Sequence, residues 1–270
     1  MPTTEDVKLI IKETVKTSVL SFAKKQLKKK PKFQILDLII PKERKIRSIV
    51  GGLETSLGTT LWEPLAKALA SQNGFIVRNE KLQAPVNMPN SLSQTLQLII
   101  EDRKKDGGAY NAAQSHNAIK QVCQAFIQRP IESFEKAPKG RGVDIWLEKN
   151  NINYFFDTKT VQPNLSTLTA CMEQVLTWYA YFYSRYPQAN AEARIVFPYN
   201  PHTGNFWDKI IGKGKPLEQT TEAWVEGEFW DFCSGIENTY NLIKEGFNEL
   251  RESGELEAAL RQLLDSPPLA

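Results

Sequence analysis

Asp144, Asp157 and Lys159 are the residues of this sequence whose types and spacing could do chemistry together. Asp144 opens a segment suited to a β-strand, Gly142 to Glu148, and Asp157 and Lys159 close a second one, Ile152 to Thr160. Between them Asn150-Asn151 suits a tight turn, because asparagine tolerates positive φ. If these two are the loop residues, 149 faces 152 and the pairing runs on until 144 faces 157. Lys159, two residues beyond Asp157, then projects from the same face, and Val143, Ile145, Leu147, Ile152, Tyr154, Phe156 and Thr158 project from a core face. Two opposed carboxylates destabilise a sheet unless a positive charge sits between them. A hard divalent cation such as Mg²⁺ supplies that charge and also accepts phosphate oxygens, so the constellation suits metal-assisted phosphodiester hydrolysis. Lys159 would position or deprotonate the attacking water, or offset charge on the phosphorane. An ordinary exposed hairpin with surface ion pairs is the bland alternative, since Asp-x-Lys alone is common.

The surrounding chain must hold that hairpin. Apolar residues at three- and four-residue spacing predict a helix from Val7 to about Leu27, closed by Pro31, and a second one ending near Gly58. That second helix restarts with Pro64 in its first turn and is capped by Gly74. Phe75 to Val77 reads as a short strand. Helices follow from Asn90 or Ser91, whose side chain would cap it, through Ile100, and from Ala112 to Gln128. After the hairpin come a helix Ser166 to Arg185, a strand Ala193 to Phe197, a polar loop to about Pro216, and helical segments to Leu264. The expected architecture is a single α/β domain over 1–270: a helical N-terminal extension at 1–45, a catalytic core at 46–200, and a helical C-terminal part at 201–270.

A chain of 270 residues with 41% hydrophobic residues can bury a sizeable core. It has no apolar run long enough for a membrane span and no signal-peptide pattern, so a cytoplasmic protein with no membrane partner is expected. Cys123, Cys171 and Cys233 fit neither a disulfide framework nor a zinc site. The net charge of +3 decides nothing by itself. Lys24, Lys25, Lys28, Lys29, Lys30 and Lys32 crowd one segment, as a phosphate-facing patch or as a solvated helix end.

Several residues could touch DNA. Lys139 and Arg141 approach Asp144 through a Gly-rich segment, Gln162 and Asn164 follow Lys159, and Asn200 and His202 sit in an amide-rich loop. Each has an ordinary alternative as a turn former or solvated side chain. Lys209, Lys213 and Lys215 suit backbone contacts. His116 is expected to pack on a helix, and the run Trp178, Tyr179, Tyr181, Phe182 and Tyr183 to fill a core rather than stack on bases.

Val143-Asp144, the hairpin and Asp157-Thr158-Lys159 resemble the signature of the PD-(D/E)XK nuclease superfamily, with Val143 in the place of the usual proline. The segments RSIVGGLETSLGTTLW (47–62), KGRGVDI (139–145), DTKTVQPN (157–164), Tyr199-Asn200-Pro201 and GEFWD (227–231) are similar to type II restriction endonucleases, closest to the TdeIII group. The resemblance implies a restriction-endonuclease-like mixed central sheet flanked by helices, with additional peripheral helices. It also implies Mg²⁺-dependent cleavage of double-stranded DNA at a short palindrome, of GG…CC type in such relatives, by a homodimer. Carried over by residue, Asp144 and Asp157 are metal ligands, Thr158 a backbone-carbonyl ligand and Lys159 the catalytic lysine. Glu54, on a helix ahead of the hairpin and beside Gly51 and Gly52, fits the further glutamate many members add, with Glu63 as the fallback. A repair or junction-resolving nuclease of the same fold, or a non-catalytic DNA-binding relative, remains open at this point.

Overall fold

The computed structural model describes residues 2–29, 34–105, 107–160, 163–209 and 216–265. In chain order the elements are α1 (Thr4–Leu27), α2 (Gln34–Ile39), α3 (Pro41–Leu57), α4 (Glu63–Gln72), β1 (Ile76–Arg78), β2 (Gln83–Pro85), α5 (Asn90–Arg103) and α6 (Ala112–Gln124). Then come β3 (Phe134–Lys136), β4 (Ile145–Lys149), β5 (Ile152–Thr158), α7 (Leu165–Arg185), β6 (Asn190–Phe197), β7 (Ala223–Val225), α8 (Gly227–Ser234), α9 (Thr239–Ser253) and α10 (Glu255–Asp265). They form two units, Gly74–Phe229 and Met1–Asn73 with Trp230–Ala270.

The first unit is helical. A capping box between Thr3 and Asp6 starts α1, where Thr3 Oγ1 accepts from the Asp6 amide and Asp6 Oδ2 from the Thr3 amide. The break expected near Gly58 is present as a kink at Ser56, whose φ of -113° and ψ of 19° are not helical; the chain then passes through a π-helical turn at Gly58–Trp62, and Pro64 sits in the first turn of α4 as its spacing predicts. Gly52 is small because α1 crosses it: a Cβ there would stand 2.8 Å from the Phe22 ring. At Gly52 the small residue therefore serves helix packing, whereas a Cβ at Gly51 would meet nothing within 4 Å. Charge also joins these helices, since Lys8, Lys12 and Lys16 of α1 pair with Glu245, Glu249 and Glu255 of α9 and α10. The acidic C-terminal stretch is thus partly matched to basic residues of α1, while Lys24, Lys25, Lys28 and Lys29 stay exposed. Lys30, Pro31 and Lys32 lie outside the described residues.

The second unit holds a five-stranded sheet in the order β1-β4-β5-β6-β7, antiparallel from β1 to β5 and parallel from β5 to β7. This is the mixed central sheet flanked by helices that the sequence predicts. β4 and β5 form the expected hairpin, with Asn150 at φ 52° and Asn151 at φ 60° in the turn and Lys149 facing Ile152. β7 lies in a stretch expected to be helical; three residues are too few for an alternation signal. The α5 N-cap is Pro89, with no side-chain cap, in place of Asn90 or Ser91.

The expectation of a single core face is overturned. Trp146 and Phe155 project from the same side as Asp157 and are buried with Leu92, Ile119, Trp178 and Phe182 of α5, α6 and α7. Ile145, Leu147 and Phe156 on the other side are buried too, with Phe156 5.3 Å from Phe229 between ring centroids. A central strand paired on both edges is covered on both faces. The aromatic run of α7 is core, as its spacing predicts, and it also ties the helix to β6. Where β7 does not reach, the amides of Ala191 and Ala193 donate to the hydroxyls of Tyr183 and Tyr179 at 3.1 and 2.9 Å.

A buried ion pair and a half-buried histidine stabilise this unit conditionally. Arg103, 8% exposed, makes a bidentate pair with Glu222, 2% exposed, at 3.0 and 2.7 Å, and also donates to Ser115. Glu222→Ala would leave the guanidinium buried and unpaired and should cost about 3–5 kcal/mol, measured by denaturant unfolding. His116 stacks on Tyr179, 4.0 Å between centroids, and its Nε2 meets the Tyr183 hydroxyl at 2.7 Å. Burial, aided by the Lys120 charge, lowers its pKa to about 4. The unfolded chain, with a histidine pKa of about 6.5, then takes up a proton the folded one refuses, so the stability present above that value is lost as pH falls towards 4. The loss should reach about 3 kcal/mol at most, and unfolding midpoints of His116→Phe should depend less on pH in that window.

Candidate active site

The site lies at the end of the β4–β5 hairpin remote from its turn. The register pairs Ile145 with Phe156, but the Asp144 amide donates to the Phe156 carbonyl at 3.1 Å, one residue out of step. That offset is the pattern of a β-bulge, which unpairs a strand end and re-aims a side chain. Asp144 is therefore not the simple cross-strand neighbour of Asp157 that the register alone predicts. Its carboxylate turns along the sheet, and Oδ2 accepts the Thr158 amide at 3.3 Å. The carboxylate thereby takes up a backbone donor at the point where the ladder breaks.

Asp157 is 6% exposed. Its Oδ2 accepts Lys159 Nζ at 2.6 Å and Gln174 Nε2 at 2.7 Å. Burial alone would depress the Lys159 ammonium, but the charge and hydrogen bond of Asp157, with a smaller pull from Asp144, raise its pKa above the ordinary lysine value. Lys159 is held as a cation. Beyond it, the Lys159 amide donates to Val196 at 2.8 Å and Tyr199 Oη to the Thr160 carbonyl at 2.8 Å, fastening the end of β5 to β6. Sequence reasoning missed Gln174; the signal was an amide inside the apolar pattern of α7.

α7 also holds the approach to Asp144. Trp178 Nε1 donates to the carbonyls of Arg141 and Gly142, each at 3.1 Å. Gly140, at φ 80°, allows the turn in which the Arg141 amide reaches the Pro138 carbonyl. Lys139 is exposed in this turn and Arg141 half-buried.

The other expected residues are placed as follows. Asn164 caps α7, its Oδ1 accepting from the Thr167 amide at 2.8 Å, and Asn200 folds its own loop by donating to the Gly204 carbonyl and accepting the His202 amide. Both amides have the turn-forming role that was the alternative to base contact. His202 is half-buried in that loop. Glu54 is exposed on α3, in the helical unit. Glu63 is largely buried, with Oε2 3.3 Å from Lys67 and Oε1 without a hydrogen-bond partner among the described residues. Gln162, Lys213 and Lys215 lie outside the described residues.

The donor set fits a hard cation. Both donors to Asp157 engage Oδ2, Asp144 adjoins it through Thr158, and Mg²⁺ needs only one or two carboxylates besides water and phosphate oxygens. Among the described residues no group of three or more His, Cys, Asp or Glu gathers as a metal site, so a cage made wholly of side chains is not what is offered. Two cavities of about 400 and 430 Å³ in this unit are lined by other residues.

The HinfI family of type II restriction endonucleases matches residues 3–251. The chain belongs to that family. It is accordingly a type II site-specific deoxyribonuclease acting on double-stranded DNA, and its mixed sheet flanked by helices is restriction-endonuclease-like. The motifs suggested the TdeIII group; the family that matches this HinfI-family enzyme is the one named. No curated protein and no solved structure is significantly similar. No helix among the described residues is long and apolar enough to cross a membrane.

Trp178→Phe removes the one donor that two carbonyls before Asp144 share. It should cost about 1–3 kcal/mol in denaturant unfolding, and hydrogen exchange at the Asp144 amide should quicken.

Proposed function

We propose that this HinfI-family enzyme cleaves both strands of a short DNA palindrome in a Mg²⁺-dependent reaction, with the PD-(D/E)XK constellation Asp144, Asp157 and Lys159 as its active site. The observation that carries the reading is the Asp157 carboxylate, buried at the end of a central strand, hydrogen-bonded to Lys159 and adjoining Asp144 through the Thr158 amide. Asp144, Asp157 and the Thr158 carbonyl would hold the ion. When bound, Mg²⁺ neutralises phosphate charge and makes water more acidic. Lys159, hydrogen-bonded to Asp157, positions or deprotonates the attacking water or offsets charge on the pentacovalent phosphorane. The superfamily resemblance suggests Glu54 for the further carboxylate, with Glu63 as the alternative. Lys139 and Arg141, on the turn leading to Asp144, contact the DNA backbone or guanine edges.

Each chain carries one such hairpin, and the strands of a duplex run in opposite directions. Cutting both at a palindrome therefore calls for two copies related by a twofold axis, hence a homodimer.

Incubation of the purified protein with unmethylated phage DNA should give discrete fragments with Mg²⁺ and none with EDTA, and end sequencing should return one short palindrome. The GG…CC type suggested by the TdeIII resemblance is one of the sites this discriminates. Preference for branched DNA would favour a junction-resolving nuclease, and a gel shift without cutting a DNA-binding relative. Asp144→Ala, Asp157→Ala and Lys159→Ala should each abolish cleavage while DNA binding survives; parental turnover in any of the three sinks the site. Glu54→Ala should slow cleavage, and an unchanged rate transfers that role to Glu63.

A further inference from the structure

Gln174 has no part in the reading so far, yet it touches the centre of the site. It is 9% exposed on α7, and its Nε2 donates to the same Asp157 oxygen that Lys159 engages. Held by Lys159 alone, the buried Asp157 Oδ2 would lose its hydrogen bond when that lysine turned away, which is costly. A second donor changes this. With the neutral Gln174 amide in place, Oδ2 stays hydrogen-bonded when the ammonium turns towards a phosphate. Because both donors fall on Oδ2, Oδ1 is the atom available to a cation.

Trp178 lies one helical turn further along the same face of α7 and donates to the carbonyls of Arg141 and Gly142. The helix therefore grips both approaches to the site: the strand end bearing Asp157 through Gln174, and the loop entering Asp144 through Trp178.

We propose that Gln174 is a positioning residue that orients Asp157 for the divalent cation and frees Lys159 for the scissile phosphate, setting metal affinity and turnover but not DNA affinity. The proposal rests on the nuclease reading of Asp144, Asp157 and Lys159.

The test uses the full chain with Gln174→Met, which keeps length and removes the donor, and Gln174→Asn, which keeps the amide but shortens its reach. Asp157→Asn reports on the nuclease reading itself. Glu173→Ala, whose side chain pairs with Lys104 at 2.6 Å, controls for disturbance of the helix. Mn²⁺ affinity is read by electron paramagnetic resonance without DNA, DNA binding in EDTA by gel shift, folding by thermal melting, and kcat and KM on a duplex bearing the site. For both Gln174 variants, Mn²⁺ affinity and kcat should each fall roughly 10- to 100-fold, with KM, DNA binding and melting unchanged and Glu173→Ala like the parent. Parental Mn²⁺ affinity and kcat in either variant overturn the proposal. So does a parallel loss of melting, DNA binding and activity in both, which would make Gln174 a folding residue. Cleavage by Asp157→Asn overturns instead the nuclease reading on which the proposal stands.

Discussion

A carboxylate that is 6% exposed at the end of a central strand is the constraint around which the sheet unit is arranged. An ion in that position must be compensated within hydrogen-bonding distance or it titrates away. Asp157 obtains its partners from two directions, Lys159 two residues along the same strand and Gln174 from the helix packed on the sheet. The strand contribution follows from parity. The helix contribution requires α7 to lie in one place, and its aromatic residues are what hold it there.

Those aromatics do more than fill space. Tyr179 and Tyr183 close the edge of β6 where β7 falls short, and Trp178 takes two carbonyls of the loop entering Asp144. Packing and positioning are thus carried by the same helix face. The conditional stability of this unit has the same origin: His116 stacks on these tyrosines as a neutral ring, and Arg103 and Glu222 tie α5 to the segment leading into β7. Each is favourable only while its partner is present.

The bulge at Asp144 is where local pairing yields to this arrangement. Regular antiparallel pairing would set two carboxylates directly across from each other, a repulsive placement without a cation. With the offset, Asp144 instead accepts the Thr158 amide, so the pair stays close at a strand end that is no longer ladder-bonded. Both carboxylates thus lie at the end of the hairpin remote from its turn.

From the sequence alone come the hairpin, its Asn150-Asn151 turn, its register up to Ile145 and Phe156, and the common side of Asp157 and Lys159. These follow from a two-residue period and a turn whose φ requirement asparagine meets. The helices with sustained periodicity, and the restart at Pro64, are legible for the same local reason. Coverage of both sheet faces was hinted at by Trp146 and Phe155 beside the acidic positions, but a period-two reading assigns one face to water. The three residues of β7, the out-of-step amide of Asp144, and the division of the helices between two units have no local signature, because each depends on partners far along the chain. Gln174 shows why most clearly: seventeen residues separate it from Asp157, and only the packing of α7 on β5 and β6 turns an unremarkable helical amide into a partner of the buried carboxylate.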